Sequence, residues 1–78
     1  MVNFTLYYRE NCHLCESMRL ALAALQKKIP FTWHEVDIDR DTDLIRRFDT
    51  RVPVLFYQQQ EVCHYFIDEN AIRACITL

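Results

Sequence analysis

The sequence contains no glycine among its 78 residues, and this absence limits both the turns and the sites that it can form. Glycine reaches left-handed backbone conformations without a steric penalty, whereas other residues reach them less easily. The turns of this chain must therefore be made by Asn, Asp, Gln and Pro. Loops that cradle phosphate groups also need glycine, because the backbone approaches the ligand closely there. The composition therefore excludes P-loop and Rossmann-type nucleotide sites.

The length and composition indicate one small folded domain, which we expect to span residues 1–78. Of the residues, 51% are hydrophobic and 26% are charged, which is typical of globular proteins. The net charge of −2, without a long basic run, argues against nucleic-acid binding. No apolar run approaches the roughly 20 residues of a membrane-spanning helix, and the N-terminus lacks the pattern of a secretory signal. We therefore expect a cytoplasmic monomer without a membrane or nucleic-acid partner.

The hydrophobic pattern divides the chain into four strands and three helices. β-branched and aromatic residues favour strands at 2–8, 31–38, 54–57 and 61–66. Apolar residues at helical spacing favour helices at 13–29, 42–48 and 69–76, the first of which ends at Pro30. The apolar first strand suits the interior of a sheet, and the charged second strand suits an edge. The order β-α-β-α-β-β-α predicts an α/β fold with a four-stranded mixed sheet covered by helices.

Two cysteines three positions apart, Cys12 and Cys15, lie where the first strand gives way to the first helix. The N-terminus of a helix has unpaired backbone N–H groups and a positive dipole end, so it favours an anion such as a thiolate. The thiolate is the reactive form of cysteine. The spacing also lets the two thiols come within disulfide range. The stretch therefore predicts a dithiol redox site, with Asn11 as the helix cap.

Other interpretations of these residues remain open. The cysteine pair could be half of a zinc site, for which Cys63, His64 and Cys75 are the remaining candidate ligands. Cys63 and Cys75 are otherwise expected to be small buried hydrophobic residues, with a regulatory disulfide or a modification site as the alternative. His13 is either a solvated side chain or, when protonated, a charge that stabilises the Cys12 thiolate.

The cysteine pair, the order of elements and the Val52-Pro53 pair before the third strand together resemble the glutaredoxins, which have the thioredoxin fold. The resemblance is closest to a group of short glutaredoxin-like proteins and spans nearly the whole chain. It implies a thiol–disulfide oxidoreductase that acts on protein disulfides or glutathione mixed disulfides. Such an enzyme would require no bound cofactor and no metal. Glutathione is a candidate co-substrate, and either glutathione or a reductase would supply the electrons. The alternative within this fold is a redox-inert module that binds a protein partner.

The resemblance also implies roles for single residues. Cys12 would be the nucleophile and Cys15 the resolving thiol. Pro53 would follow a cis peptide bond and leave the Val52 backbone free to pair with an extended substrate. Six residues would bind the substrate: Arg9, His13, Arg51, Val52, Pro53 and Asp68. The arginines would be either solvated surface charges or groups that attract the carboxylates of glutathione or a peptide. Asp68 would act first as a helix cap and second as a group that binds an amine.

Three positions depart from the patterns of the related families. Glutaredoxins usually have proline after the first cysteine, where this chain has His13. They also have a glycine pair before the last helix that admits the γ-glutamyl group of glutathione, so only Asp68 matches there. Thioredoxin has a buried acid on the strand before its dithiol, where this chain has Leu6. The dithiol chemistry is compatible with all three departures.

Overall fold

The computed structural model describes residues 1–77, and within that range the chain forms four strands and three α-helices in the predicted order. A short 3₁₀ turn, Ile38–Arg40, precedes the second helix. The bounds are β1 Asn3–Tyr8, α1 His13–Gln26, β2 Thr32–Asp37, α2 Thr42–Phe48, β3 Val54–Tyr57, β4 Gln60–His64 and α3 Glu69–Ile76. No helix within residues 1–77 is long and apolar enough to cross a membrane.

The strands form one mixed sheet in the order β2-β1-β3-β4. Strand β1 is parallel to β2 and antiparallel to β3, and β3 is antiparallel to β4. The interior position of β1 and the edge position of β2 confirm the prediction from their apolar and charged side chains.

Helices pack on both faces of this sheet. Side chains alternate between the two faces along each strand, so each strand contributes to both interfaces. Phe4 of β1 is completely buried in a core that also contains Leu22 of α1 and Ile72 of α3. Tyr7, which points to the opposite face, packs against Phe48 of α2 in a second cluster. Helices α1 and α3 therefore cover one face and α2 covers the other. The predicted α/β fold is confirmed.

Helix α1 begins at His13, as predicted, but it is shorter than predicted and its buried face begins later. It ends at Gln26, and a hydrogen-bonded turn from Ile29 N–H to the Leu25 carbonyl (3.1 Å) carries the chain to the next strand. Leu14, the first apolar residue of the helix, is 36% exposed. The core-facing position in the first turn belongs to Cys15, which is 1% exposed. The buried face therefore begins at the second cysteine.

Three residues within the described range adopt the left-handed backbone conformation that glycine would normally fill. They are Asn11 (φ 58°), Gln58 (φ 58°) and Tyr65 (φ 63°). Asn and Gln were expected to make the turns of this glycine-free chain, but a bulky aromatic residue is unusual in this conformation. The left-handed conformation of Tyr65 interrupts the extended backbone, so β4 ends at His64, two residues before the predicted end.

An ion pair joins α1 to the edge strand β2. Arg19 Nε donates to the carboxylate of Glu35 at 2.9 Å, and the indole N–H of Trp33 donates to the same oxygen at 3.1 Å. Burial raises the pKa of Glu35, but the hydrogen bonds from Arg19 and Trp33 and the charge of Arg19 lower it by more. The pKa of Glu35 therefore lies below its ordinary value, and the ionised carboxylate stabilises the fold.

Replacing Glu35 with glutamine is expected to lower the free energy of unfolding near pH 7 by about 0.5–1 kcal/mol, as for other partly exposed ion pairs. Because its pKa is depressed, Glu35 contributes fully above the unfolded pKa and loses this contribution as the pH falls through the folded pKa. Urea unfolding at about pH 7 and about pH 2 should therefore show a difference between the two proteins that disappears in acid. Glu10→Gln, at an exposed carboxylate, is the control. An equal difference at both pH values would contradict this account.

Candidate dithiol site

The strand register brings four segments to one edge of the sheet. Tyr8, the last residue of β1, lies opposite Asp37, the last residue of β2. Val54, the first residue of β3, pairs with Tyr7 of β1 and with His64, the last residue of β4. The segments beyond these strand ends, 9–12, 38–41, 50–53 and 65–68, therefore lie along the same edge. The cysteine pair and the Val52-Pro53 loop are thus brought to the same end of the molecule.

Cys12 and Cys15 form a disulfide, with their Cα atoms 5.2 Å apart. Cys12 is the N-cap residue of α1, and its Sγ accepts the backbone N–H of Cys15 at 3.1 Å. Cys15 is 1% exposed because it lies on the core-facing side of α1, whereas Cys12 is partly exposed. A molecule that approaches this site therefore meets Cys12 first.

The expectation that Asn11 caps α1 is wrong. A residue at the N-cap needs an extended backbone, and Cys12 has one (φ −114°, ψ 108°). Asn11 instead has φ 58° and reverses the chain between β1 and α1, because Asn tolerates this conformation better than most residues. The sulfur of Cys12 thus occupies the capping position in which a side-chain oxygen was expected.

The Val52–Pro53 peptide bond is cis, as the sequence resemblance implied. Pro53 is buried and Val52 is half-buried. Before this pair, the N–H of Arg51 donates to the carbonyl of Phe48 at 2.9 Å, which connects the loop to the last turn of α2. After it, strand β3 begins at Val54. The loop is therefore fixed by regular structure on both sides.

Arg9 joins the segment 38–41 and the C-terminal end of α2 to its own segment. Its Nη2 donates to Asp39 at 2.9 Å, and its Nη1 donates to Asp49 at 2.6 Å. The hydrogen bonds to Asp39 and Asp49 raise the pKa of Arg9. Arg51 is also paired within the chain, with Glu61 of β4. Both guanidinium groups thus bind carboxylates of this chain, and their binding of substrate carboxylates stays a prediction.

The other two polar candidates lie at helix N-termini. His13 is the first residue of α1, and its side chain is exposed. Asp68 is the N-cap residue of α3, where its Oδ1 accepts the N–H of Ala71 at 3.0 Å. The capping role of Asp68 is confirmed. The contacts of His13 and Asp68 with a substrate stay predictions.

Replacing Asp68 with alanine is expected to lower the free energy of unfolding by about 1 kcal/mol, because α3 loses the acceptor for one of its first N–H groups. Asparagine keeps such an acceptor, so Asp68→Asn should retain most of the wild-type stability. Urea unfolding of the three proteins measures the difference. If the asparagine variant lost as much stability as the alanine variant, the negative charge rather than the cap would be the important feature.

The remaining cysteines lie away from the strand-to-helix turn. Cys63 of β4 is buried in the main core, as predicted, whereas Cys75 of α3 is half-buried at its margin. Burial raises the pKa of both thiols, which makes them less reactive near neutral pH. Among residues 1–77, no three His, Cys, Asp or Glu side chains are grouped closely enough to hold a metal ion.

Tyr65 belongs to this edge but was not identified from the sequence. Its N–H donates to the carbonyl of Pro53 at 2.9 Å, and its hydroxyl donates to the carbonyl of Thr50 at 2.6 Å. Beside it, Phe66 is 70% exposed. A mainly apolar cleft of about 220 Å³ separates this segment from α1, and its lining residues are Ser17, Met18, Ala21, Tyr65, Phe66 and Ile67. The absence of glycine indicates that other residues must make the left-handed turns, but it does not identify Tyr65 as one of them.

A family model described as Glutaredoxin-like domain (DUF836) matches residues 3–77 of this chain. The match includes the cysteine pair, the cis-proline loop and all three helices. No curated protein matches the sequence.

Solved structures show the same similarity. The NMR structure of protein Ne2328 from Nitrosomonas europaea is 43% identical, with a TM-score of 0.86, over 95% of this chain and 89% of that chain. The X-ray structure of protein XcR50 from X. campestris is 35% identical, with a TM-score of 0.71, over 95% of both chains. Fasciola hepatica thioredoxin is 23% identical, with a TM-score of 0.58, over 97% of this chain and 78% of that chain. This last likeness is one of fold alone, and it identifies the fold as thioredoxin-like.

Proposed function

The chain belongs to the glutaredoxin-like domain family (DUF836), and we propose that it is a thiol–disulfide oxidoreductase with Cys12 and Cys15 as its redox pair. One observation carries this proposal: the two cysteines lie within disulfide range at a helix N-terminus, and they differ in exposure. A substrate disulfide can reach the partly exposed Cys12, whereas the buried Cys15 can reach its neighbour. This asymmetry supports Cys12 as the nucleophile and Cys15 as the resolving thiol.

The reaction starts from the reduced protein, in which the Cys12 thiolate attacks one sulfur of a substrate disulfide. A bond forms between Cys12 and that sulfur, the substrate S–S bond breaks, and the second substrate sulfur leaves and takes up a proton. Cys15 then loses its proton and attacks the Cys12 sulfur. This step forms the Cys12–Cys15 disulfide and releases the first substrate sulfur, which also becomes a thiol. The substrate has gained two electrons and two protons, and glutathione or a reductase returns the same number to the protein.

The backbone of α1 supports the first step. The sulfur of Cys12 accepts the N–H of Cys15 at 3.1 Å, at the positive end of a helix of 14 residues. A hydrogen bond from the backbone and the helix dipole both favour a thiolate over a neutral thiol. We propose that a protonated His13, the first residue of the helix, adds to this stabilisation.

The surroundings of the dithiol favour protein disulfides over glutathione mixed disulfides as substrates. Glutathione would be bound through its charged groups, and its carboxylates would have to compete with Asp39 and Asp49 for Arg9. An extended protein segment could instead pair with the backbone of Val52, and it would not depend on a free guanidinium group. Arg51 and Asp68 would then contact side chains that flank the substrate cysteine. We propose that the protein works as a monomer in the cytoplasm. The cytoplasm keeps non-catalytic thiols reduced, so the other thiols of this chain would stay free there.

Mass spectrometry of the intact protein in a series of glutathione redox buffers tests this function. As the buffer becomes more oxidising, the wild type is expected to lose two hydrogen atoms as one disulfide forms. Cys75→Ser, at a half-buried free cysteine, should give the same transition. A wild type that keeps all its thiols across the series would contradict the proposal. A coupled assay with glutathione reductase or thioredoxin reductase then identifies the electron source.

A further inference from the structure

The backbone of Tyr65 is hydrogen-bonded to Pro53 of the Val52-Pro53 loop. Its N–H donates to the carbonyl of Pro53 at 2.9 Å, directly after the β3–β4 ladder ends with the pair Val54 and His64. Tyr65 makes this bond with φ 63°, a conformation that is uncommon for a bulky residue. A residue other than glycine keeps such an unfavourable conformation only when the surrounding contacts stabilise it.

The side chain of Tyr65 makes a second connection to the same loop. Its hydroxyl donates to the carbonyl of Thr50 at 2.6 Å, across 15 positions of sequence. The ring lies edge-on to His64, with the ring centroids 4.7 Å apart, and is half-buried. One residue thus binds the loop both before Val52 and after it. A glycine at this position would adopt the backbone conformation more easily, but it could not supply the hydroxyl.

Strand β4 adds a third connection through Glu61. Its carboxylate pairs with Arg51 and with Nδ1 of His64, the latter at 2.7 Å. The contacts of Tyr65 and Glu61 together therefore reach Thr50, Arg51 and Pro53, which surround Val52 on both sides. The backbone of Val52 itself is left out of these contacts.

We propose that Tyr65 is a positioning residue that holds the segment 50–53 in the conformation that binds an extended disulfide substrate. This inference rests on the proposed function, because it names the device that orients the Val52 backbone for that substrate. Loss of a single hydrogen bond changes a conformational equilibrium by about fivefold. A ligand that binds one conformation is bound more weakly in proportion to the lost population. Removing the hydroxyl of Tyr65 should therefore weaken substrate binding, by up to about fivefold.

Tyr65→Phe tests this role, since it removes only the hydroxyl and keeps the ring and the backbone N–H. Tyr57→Phe is the matched control, because Tyr57 is half-buried on β3 and its hydroxyl has no hydrogen bond within the described residues. Hydrogen exchange followed by NMR measures the protection of the amide at position 65, which donates to Pro53. Steady-state reduction of a disulfide-linked peptide gives KM and kcat. Equilibration with glutathione gives the reduction potential of Cys12 and Cys15.

In Tyr65→Phe we expect faster exchange of the amide at position 65 and a raised KM, by up to about fivefold. The kcat and the reduction potential should equal those of the wild type, as should every measurement on Tyr57→Phe. Unchanged exchange and KM in Tyr65→Phe would overturn the inference. A reduction potential that shifted together with KM would also overturn it, because a general structural role would then explain both. If the wild type did not reduce the peptide, the proposed function would fail, while the exchange rates would still decide whether Tyr65 holds the loop.

Discussion

Serine in place of Cys12 is expected to abolish disulfide reduction by this protein. Serine in place of Cys15 is expected to stop the reaction at the mixed disulfide between Cys12 and the substrate. Without Cys12, the chain has no partly exposed sulfur at the helix N-terminus to attack the substrate. Without Cys15, the attack succeeds, but the mixed disulfide between Cys12 and the substrate cannot be resolved within the molecule. In the absence of glutathione, turnover of a protein disulfide should fall to the uncatalysed rate in both variants.

The intact mass separates the two variants. After incubation with a disulfide-linked peptide, Cys15→Ser should gain the mass of one peptide half, whereas Cys12→Ser should keep its own mass. Cys75→Ser is the control and should turn over the substrate like the wild type, because burial raises the pKa of the Cys75 thiol and disfavours its reactive form. Wild-type turnover by Cys12→Ser would remove Cys12 from the role of nucleophile.

Alanine in place of Phe48 is expected to remove a large part of the stability of the fold. Phe48 is 1% exposed, stacks on Tyr7 with ring centroids 4.7 Å apart, and lies edge-on to Phe56 at 5.6 Å. Truncating a buried phenylalanine to alanine costs about 3–5 kcal/mol. A chain of this length has a total stability of roughly 4–12 kcal/mol, so the variant should lose about a third or more of it.

Urea unfolding followed by circular dichroism measures this loss. Phe66→Ala is the matched control, since Phe66 is 70% exposed and its truncation should change the free energy of unfolding by less than about 0.5 kcal/mol. The carbonyl of Phe48 also accepts the N–H of Arg51, so the same residue connects α2 to the cis-proline loop. A loss below about 1 kcal/mol in Phe48→Ala would show that α2 does not depend on this cluster.

Local patterns were sufficient to predict most of the elements. Helix α2 has the bounds expected from its apolar spacing, and Asp41 caps it. Helix α3 likewise begins after Asp68. These features depend on residues within a few positions of each other, where capping and helical periodicity operate. The predicted C-terminal ends of α1 and β4 were less accurate, because a turn ends the helix early and the left-handed Tyr65 ends the strand early.

The site could be predicted in part. The spacing of Cys12 and Cys15 at the strand-to-helix boundary identified the pair, and the resemblance to glutaredoxins implied the cis bond before Pro53. The partners of Arg9 could not be predicted, because its bonds to Asp39 and Asp49 span 30 and 40 positions of sequence. The same holds for Tyr65, whose partner Thr50 is 15 positions away. These pairings exist because the strand ends meet at one edge of the sheet.

By itself, the sequence determined the order of helices and strands, the mixed sheet and the position of the dithiol at the start of α1. The physical reason is that propensity, periodicity and capping act between near neighbours in the chain. The tertiary structure alone decided that Cys15 is buried while Cys12 is accessible, and that Tyr65 takes a left-handed turn in a chain without glycine. Exposure and long-range hydrogen bonds depend on how the strands align and which helix covers which face. The contacts that hold the Val52-Pro53 loop therefore follow from the packed fold.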